Sequence, residues 1–389
     1  MKQGWKIKKL GDICYPKKEI KRASTYCSSS DRITYIDISS IDAASNRIVA
    51  PNEMLFKDAP SRAQQMVMRH DVLVSLVRPN LKNIAMVHTA IDYLVASSGF
   101  CVLRTKENPY YIKYLVTGEK FTKYLMSRTS GANYPAVRED DIRSFQICVP
   151  PIAEQAKIVE ELDCLSGIIE KKKQQLKELD NLARSIFYEM FGDPVENDKG
   201  WEQKTIGSFS KCVAGATPST KVKEYWDGGT IPWLSSGEVG NGRIYATEKH
   251  ITQEGYDNAS TKLIPPHTVV MALAGQGKTR GTVGVAEIPL CTNQSICSII
   301  TNGGVNVDFL YYQLRYLYHE LRDISNGDGG RGGLNLKLIQ GFKVLVPPFD
   351  LQQEFASKIE SIEKQKELIA QSIRETETLF NSRMDYYFN

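Results

Sequence analysis

At 389 residues the chain exceeds the usual size of one domain, so two domains with connecting elements are expected. Its hydrophobic fraction of 42% and charged fraction of 24% exclude extensive disorder and a fibrous chain. The net charge of +4 permits a polyanionic partner without requiring one.

The opening MKQGWKIKKLGDIC lacks the apolar core of an export signal, and no later apolar run reaches the roughly 18 residues that a bilayer span needs. A cytoplasmic protein without a membrane partner is expected. The eight cysteines, Cys14, Cys27, Cys101, Cys148, Cys164, Cys212, Cys291 and Cys297, form no CxxC pair and read as reduced thiols packed in cores.

From Gly4 onward, one unit is written twice. GWKIKKLGDI from Gly4 returns as GWEQKTIGSF from Gly200, an offset of 196. YIDISSIDAASNRI from Tyr35 matches IPWLSSGEVGNGRI from Ile231 at the same offset, aligning Arg47 with Arg243 and Ser39 with Ser235. VLVSLV at Val72 finds VVMALA at Val269, and ICVPP at Ile147 finds VLVPP at Val344, both at an offset of 197.

Between these landmarks lie short β-branched runs and then a helical segment led by asparagine, YYIKYLVTGEKFTKYLM after Asn108-Pro109 and VDFLYYQLRYLYHEL after Asn306. Asn is a favoured N-cap and Pro fits a first helical turn, so both mark helix starts. A Gly-rich stretch (Ser130 to Asn133; Gly327 to Gly333), one more strand and a Pro-Pro stop complete each copy. The implied fold is mixed α/β in each half.

After Pro150-Pro151 and Pro347-Pro348 come heptad patterns. The first seam runs Ile158, Leu162, Leu165, Ile169, Lys172, Leu176, Leu179, Ala183; the second, at an offset of 197, runs Phe355, Ile359, Ile362, Lys366, Ile369, Ile373, Thr376, Phe380. Apart from Gly167 neither segment has an internal Pro or Gly, so each should form a helix of about 38 residues, roughly 57 Å long. Two such one-sided helices are expected to pack antiparallel, placing similar domains at opposite ends of a rod with pseudo-twofold symmetry. Separate helices, each buried on its own domain, are the alternative. EKKKQQLKELD after Ile169 reads as a solvated face.

Two motifs suggest catalysis. NPYY at Asn108 to Tyr111 resembles the NPPY motif of amino-methyltransferases but lacks its second Pro, no FxGxG loop for S-adenosylmethionine precedes it, and the second copy reads NVDF. AGQGKTRG from Ala274 fits a loose phosphate-loop pattern, yet the β-branched TRGTVGVAEI that follows reads as loop then strand, not the helix such a loop must open. A turn between strands, or a loop touching phosphate or base edges, fits better. His70, His88, His250, His267 and His319 form no metal-binding pattern, and no nucleophile, metal or cofactor site is expected in this chain.

The duplication, the Pro-Pro stops and the heptad helices resemble the specificity subunit of a type I restriction-modification system. GATPSTKVKEYWDGGTIPWLSSGEV, Gly215 to Val239, is similar to the opening of that family's target recognition domains, and VPPIAEQAKIVEEL, Val149 to Leu162, to its domain-to-helix junction. The resemblance covers essentially the whole chain, although the first domain lacks the TPS and IPW elements. It implies an α/β fold of two tandem-repeated mixed α/β target recognition domains, 1–150 and 193–347, separated by two long helices, 151–192 and 348–389, forming an antiparallel coiled coil.

It further implies that each domain reads one half of a bipartite, asymmetric double-stranded DNA target and that the helices set the spacer. Two methyltransferase subunits bringing S-adenosylmethionine would dock on the helices, and restriction subunits using ATP and magnesium would join the full complex. The chain itself would be a non-catalytic subunit. The alternative is a tandem-domain coiled-coil scaffold without DNA specificity; a stand-alone methyltransferase or nuclease lacks a catalytic constellation.

Long polar residues in expected loops are the candidate DNA contacts. In the first domain these are Arg47, Arg62, Arg78, Asn80, Lys82, Asn133 and Tyr134; in the second, Lys221, Trp233, Ser235, Arg243, Gln276, Lys278, Arg280 and Arg331. Ser39 and Ser235 could instead tie down turns, and the repeated pair Arg47 and Arg243 could serve the fold.

Overall fold

A computed structural model describes residues 4–130, 135–275, 277–325 and 333–388 of the chain. It divides into two units, residues 1–173 with 371–389, and residues 174–370. Each combines mixed β-sheets and short helices with one stretch of each long helix.

In the first unit, Val72–Ser75 pairs antiparallel with both Phe100–Leu103 and Ile84–Met86. A second sheet is built on Arg32–Ile36, which pairs antiparallel with Asn52–Leu55 and parallel with Leu94–Ser97. The apolar run VLV is unbroken because both faces are buried. Val72 and Val74 pack with Tyr111, Phe121 and Leu162, while Leu73 packs with Ile36, Ala96 and Phe100.

In the second unit, Thr268–Ala272 pairs antiparallel with Ile296–Thr301 and with Val283–Ala286 inside a five-stranded sheet. Its faces split in the same way. Val269 and Met271 join Phe309, Phe187 and Phe355, whereas Val270 and Ala272 join Leu234 and Leu290.

The start and end of each repeat pair with each other. Lys6–Lys9 runs antiparallel to Gln146–Val149, with Ile7 opposite Cys148; Gln203–Thr205 runs antiparallel to Lys343–Leu345, with Gln203 opposite Leu345. Matching hydrogen bonds extend the two ladders at one end, from Leu10 N–H to Phe145 O at 2.9 Å and from Ile206 N–H to Phe342 O at 3.0 Å. The matched sequence is therefore matched register, since a one-residue slip would reverse which side chains face the core.

The long helices span Ile152–Phe191 and Phe349–Phe388, with Gly167 inside the first. Their partners within each unit run in opposite order along the two helices, as antiparallel packing requires. In the first unit Glu161 meets Arg383 and Lys172 donates to Ser372 and Thr376; in the second Asp180 meets Lys366 and Phe187 packs on Phe355. None of the sixteen seam positions is fully exposed. Lys172 and Lys366 occupy the seam by extending their ammonium groups to hydroxyl and carboxylate partners at its rim.

The first long helix ends where Gly192 turns left-handed at φ +76°. Its last carbonyls are capped by Trp201, whose Nε1–H donates to Phe191 O at 2.9 Å, and by Lys199, which donates to Met190 O at 3.2 Å.

Two expectations need correction. The segment after Asn108 is two helices, Pro109–Thr117 and Glu119–Met126, because Gly118 adopts an extended ψ of 154°. The segment after Asn306 likewise breaks at Leu317, between Val307–Tyr316 and Tyr318–Asp323. Of the thiols, Cys164 is exposed and Cys148 half-buried, so the core role holds only for the other six.

Candidate nucleic-acid interface

Both asparagine caps form as the sequence indicates. Asn108 Oδ1 accepts from the N–H groups of Tyr110 and Tyr111, and Asn306 Oδ1 from those of Asp308 and Phe309. Each cap is held by a buried glutamine of the following long helix. Gln155 Oε1 accepts the Asn108 N–H at 3.0 Å while its amide donates to Pro150 O at 2.9 Å; Gln352 repeats both bonds to Asn306 and Pro347, at 2.9 and 2.8 Å. A tyrosine one turn further adds a third tie. Tyr114 donates to Asp163 at 2.6 Å and Tyr312 to Glu363 at 2.5 Å. Each globular half is thereby fixed to its helix through polar bonds that have one geometry.

On this frame the topology places two groups of candidate residues in one repeated loop. Arg78, Asn80 and Lys82 lie between the strands Val72–Ser75 and Ile84–Met86; Lys278 and Arg280 lie between Thr268–Ala272 and Val283–Ala286. The same later segment closes each loop: Val137 N–H donates to Leu76 O at 2.9 Å, and Leu334 N–H to Leu273 O at 3.0 Å. Asn133 and Tyr134 precede the first of these closing segments and Arg331 the second. Asn133, Tyr134, Gln276 and Arg331 lie outside the described residues.

The first loop carries backbone in the left-handed region at both Arg78 and Lys82, with φ of 48° and 50°. Arg78 N–H donates to Pro135 O at 2.7 Å, Lys82 pairs with Glu119 at 2.5 Å, and Asn80 is exposed. That lysine hydrogen bond and charge hold the Glu119 carboxyl below its ordinary range. In the second loop Tyr318 donates to Lys278 O at 2.9 Å and Arg322 to Gly277 O at 2.7 Å, which fixes the backbone and leaves the Lys278 side chain exposed. Tyr318 and Arg322 are positioning residues absent from the sequence-derived candidates; their spacing of four puts them on one helix face, but their contact with the loop is long-range and leaves no local signal.

Arg62 and Lys221 are exposed at other points of their domains. Arg47 is exposed too, but its guanidinium bonds Glu170 of the long helix at 2.7 Å.

Three candidates serve the fold instead of a free surface. Arg243 has a side chain only 13% exposed, among the carboxylates of Glu287, Asp308 and Glu363. Burial works against its charge, and the nearby Asp308 and Glu287 carboxylates more than offset it, so its pKa is raised. Trp233 is 5% exposed; its Nε1–H donates to Ala216 O at 3.1 Å and its ring stands edge-on to Trp226 at 5.1 Å. Ser235 donates to Glu238 at 2.8 Å and ties a turn. The motif from Gly215 is thus a clasp built on two tryptophans. Gly215 is required where the clasp closes, since a Cβ there would sit 1.8 Å from Thr292 O.

The two catalytic look-alikes resolve by context. NPYY is a helix cap, and AGQGKTRG is the turn of an antiparallel pair whose next element is the strand Val283–Ala286. Among the described residues no group of three or more His, Cys, Asp or Glu could hold a metal, and no helix is long and apolar enough to cross a membrane.

Comparison with known proteins agrees with this duplicated architecture. The chain is 22% identical over 437 aligned positions to the HindI specificity subunit of Haemophilus influenzae, covering 92% of this chain and 93% of that protein. It is 24% identical over 242 positions to the EcoR124I/EcoR124II specificity subunit of Escherichia coli, covering 61% and 58%. The fold matches the crystal structure of a type I restriction-modification S subunit from M. genitalium with a TM-score of 0.59 at 13% identity, over 99% of this chain and 96% of that one. The type I restriction modification DNA specificity domain is found twice, over residues 2–181 and 198–378, and the chain belongs to that family.

Proposed function

We propose that this chain is the target-reading subunit of a type I restriction-modification complex, each recognition domain reading one half of a bipartite, asymmetric sequence in double-stranded DNA. The observation that carries this reading is the repeated loop, Arg78 to Lys82 in one copy and Lys278 to Arg280 in the other, held by equivalent hydrogen bonds. Long donors on a fixed backbone suit base edges and phosphates. The contact set is Arg62, Arg78, Asn80, Lys82, Lys221, Lys278 and Arg280, with Gln276 in the sequence of the second loop and Asn133, Tyr134 and Arg331 on the adjoining segments. Continuous helices of 40 residues, rising about 60 Å at 1.5 Å per residue, suit a fixed spacer.

The same helices dock two methyltransferase subunits, which bring S-adenosylmethionine, and the complex works in the cytoplasm with restriction subunits that use ATP and magnesium. Two identical partners need the same patch twice. Leu182 and Leu379 stand 197 residues apart at one place in the repeat and are 48% and 50% exposed; Ile152 and Phe349 form a second such pair. The chain itself is non-catalytic in this reading. Mapping methylated adenines in DNA exposed to the reconstituted complex tests it: a two-part motif with a constant gap is expected, and methylation without sequence preference would leave the scaffold reading. Labelled S-adenosylmethionine with the chain alone should give no transfer.

A further inference from the structure

The second unit contains a groove of about 580 Å³ between the helix Val307–Tyr316, the Gly281–Val283 end of the DNA-facing loop, and the long-helix residues Asp180, Arg184 and Lys366. Three cations line it, Arg184, Arg315 and Lys366, and Asp180 is the one carboxylate in its wall among the described residues. Arg315 and Lys366 both bond Asp180, at 3.1 and 3.0 Å, and Lys366 also bonds Glu363 at 2.8 Å.

Arg184 differs from these two. Among the described residues no ion pair engages it, and its exposed guanidinium is held instead by the rings of Tyr188 and Tyr316, at 5.3 and 5.9 Å from their centres. The Tyr316 hydroxyl is buried and has no hydrogen-bond partner among the described residues. That oxygen has no room beside it for a ligand atom, so Tyr316 acts on the groove through its ring, which braces Arg184. The equivalent groove of the first unit, about 830 Å³, sets Asp42, Glu119, Glu170 and Asp385 against Lys82, Lys113 and Lys173, and so has no cation excess.

We propose that the second unit's groove binds a phosphodiester of the DNA beside its half-site, with the exposed Arg184 guanidinium as direct donor, the Tyr188 and Tyr316 rings bracing it, and Arg315 and Lys366 supplying positive field. A planar, always-charged donor braced on aromatic rings suits a phosphate. The groove continues from the loop that carries Lys278 and Arg280, which favours DNA backbone over an acidic protein segment. The inference rests on the DNA-reading function proposed above.

The test uses the full chain reconstituted with type I methyltransferase subunits and a mixed-sequence duplex, with affinity followed across a salt series. Arg184→Gln should weaken binding several-fold and reduce the slope of log affinity against log salt by about 0.9, the share of one phosphate contact, while Arg184→Lys keeps the slope. Tyr316→Phe keeps the bracing ring and should leave affinity and slope unchanged. Arg184→Ala, which removes the same charge at an exposed position, decides the matter if Arg184→Gln fails to fold. An unchanged slope in folded Arg184→Gln or Arg184→Ala while Lys278→Ala still lowers it would remove the groove and leave the DNA-reading function intact. Loss of methyltransferase association with DNA binding unchanged would assign the groove to a protein and overturn the proposal. No DNA binding by the unaltered complex would overturn both readings together.

Discussion

Gln155 accepts the backbone N–H of Asn108 at 3.0 Å, locking the first turn of one helix to the start of another. The same residue donates to Pro150 O, so one buried side chain joins three segments of the chain. Replacing it with leucine strands the Asn108 N–H and the Pro150 carbonyl, each at about 1–3 kcal/mol. Gln155→Leu should lower stability by about 2–4 kcal/mol in denaturant unfolding, and Gln352→Leu should do the same in the second unit. A loss below about 0.5 kcal/mol would mean that the junction does not depend on the glutamine.

Arg47 and Arg243 occupy the same repeat position but different surroundings. Arg243→Ala leaves three carboxylates around an empty cationic site and should cost about 3–5 kcal/mol. Arg47→Ala breaks an exposed pair with Glu170 and should cost about 0–1 kcal/mol. Equal losses from the two substitutions would contradict this assignment.

The second unit should lose stability in acid. Burial alone would raise the carboxyls of Asp180 and Glu363, but hydrogen bonds and charge from Arg315 and Lys366 hold Asp180 below its usual value of 3.8, and bonds from Lys366 and Tyr312 hold Glu363 below 4.5. A carboxylate depressed by folding contributes fully above its unfolded value and loses that contribution as pH falls through the folded one. Urea midpoints should therefore be flat down to about pH 4.5 on this account and then fall, and Glu363→Gln should make the fall shallower.

Lys278 carries an exposed side chain on a backbone fixed by Tyr318 and Arg322. Lys278→Ala should weaken DNA binding and reduce the salt slope by about 0.9 without moving the thermal midpoint. An unchanged slope would remove this loop from the interface.

Gly192 combines φ +76° with a neighbour, Asp198 Oδ1, that an added Cβ would meet at 1.9 Å. Gly192→Ala should destabilise the second unit by at least about 1 kcal/mol, because left-handed backbone and displacement of the Asp198 loop add together. A neutral effect in thermal unfolding would show that this loop yields freely.

The sequence by itself determined the duplication, the helix starts at Asn108 and Asn306 and the antiparallel seam, since caps and heptads are local, periodic signals that survive in a single chain. It also contained the glutamine pair, 197 residues apart, although a lone Gln on an amphipathic helix carries no mark of burial. The tertiary structure alone decided which polar residues face outward. Arg47 and Arg243 look alike in sequence, yet one lies on the surface and the other among three carboxylates contributed from distant positions. Trp233 is a candidate contact in an expected loop by sequence, yet Trp226 and Ala216 enclose it. Burial and charge pairing depend on contacts between segments far apart in the chain, and no local pattern records them.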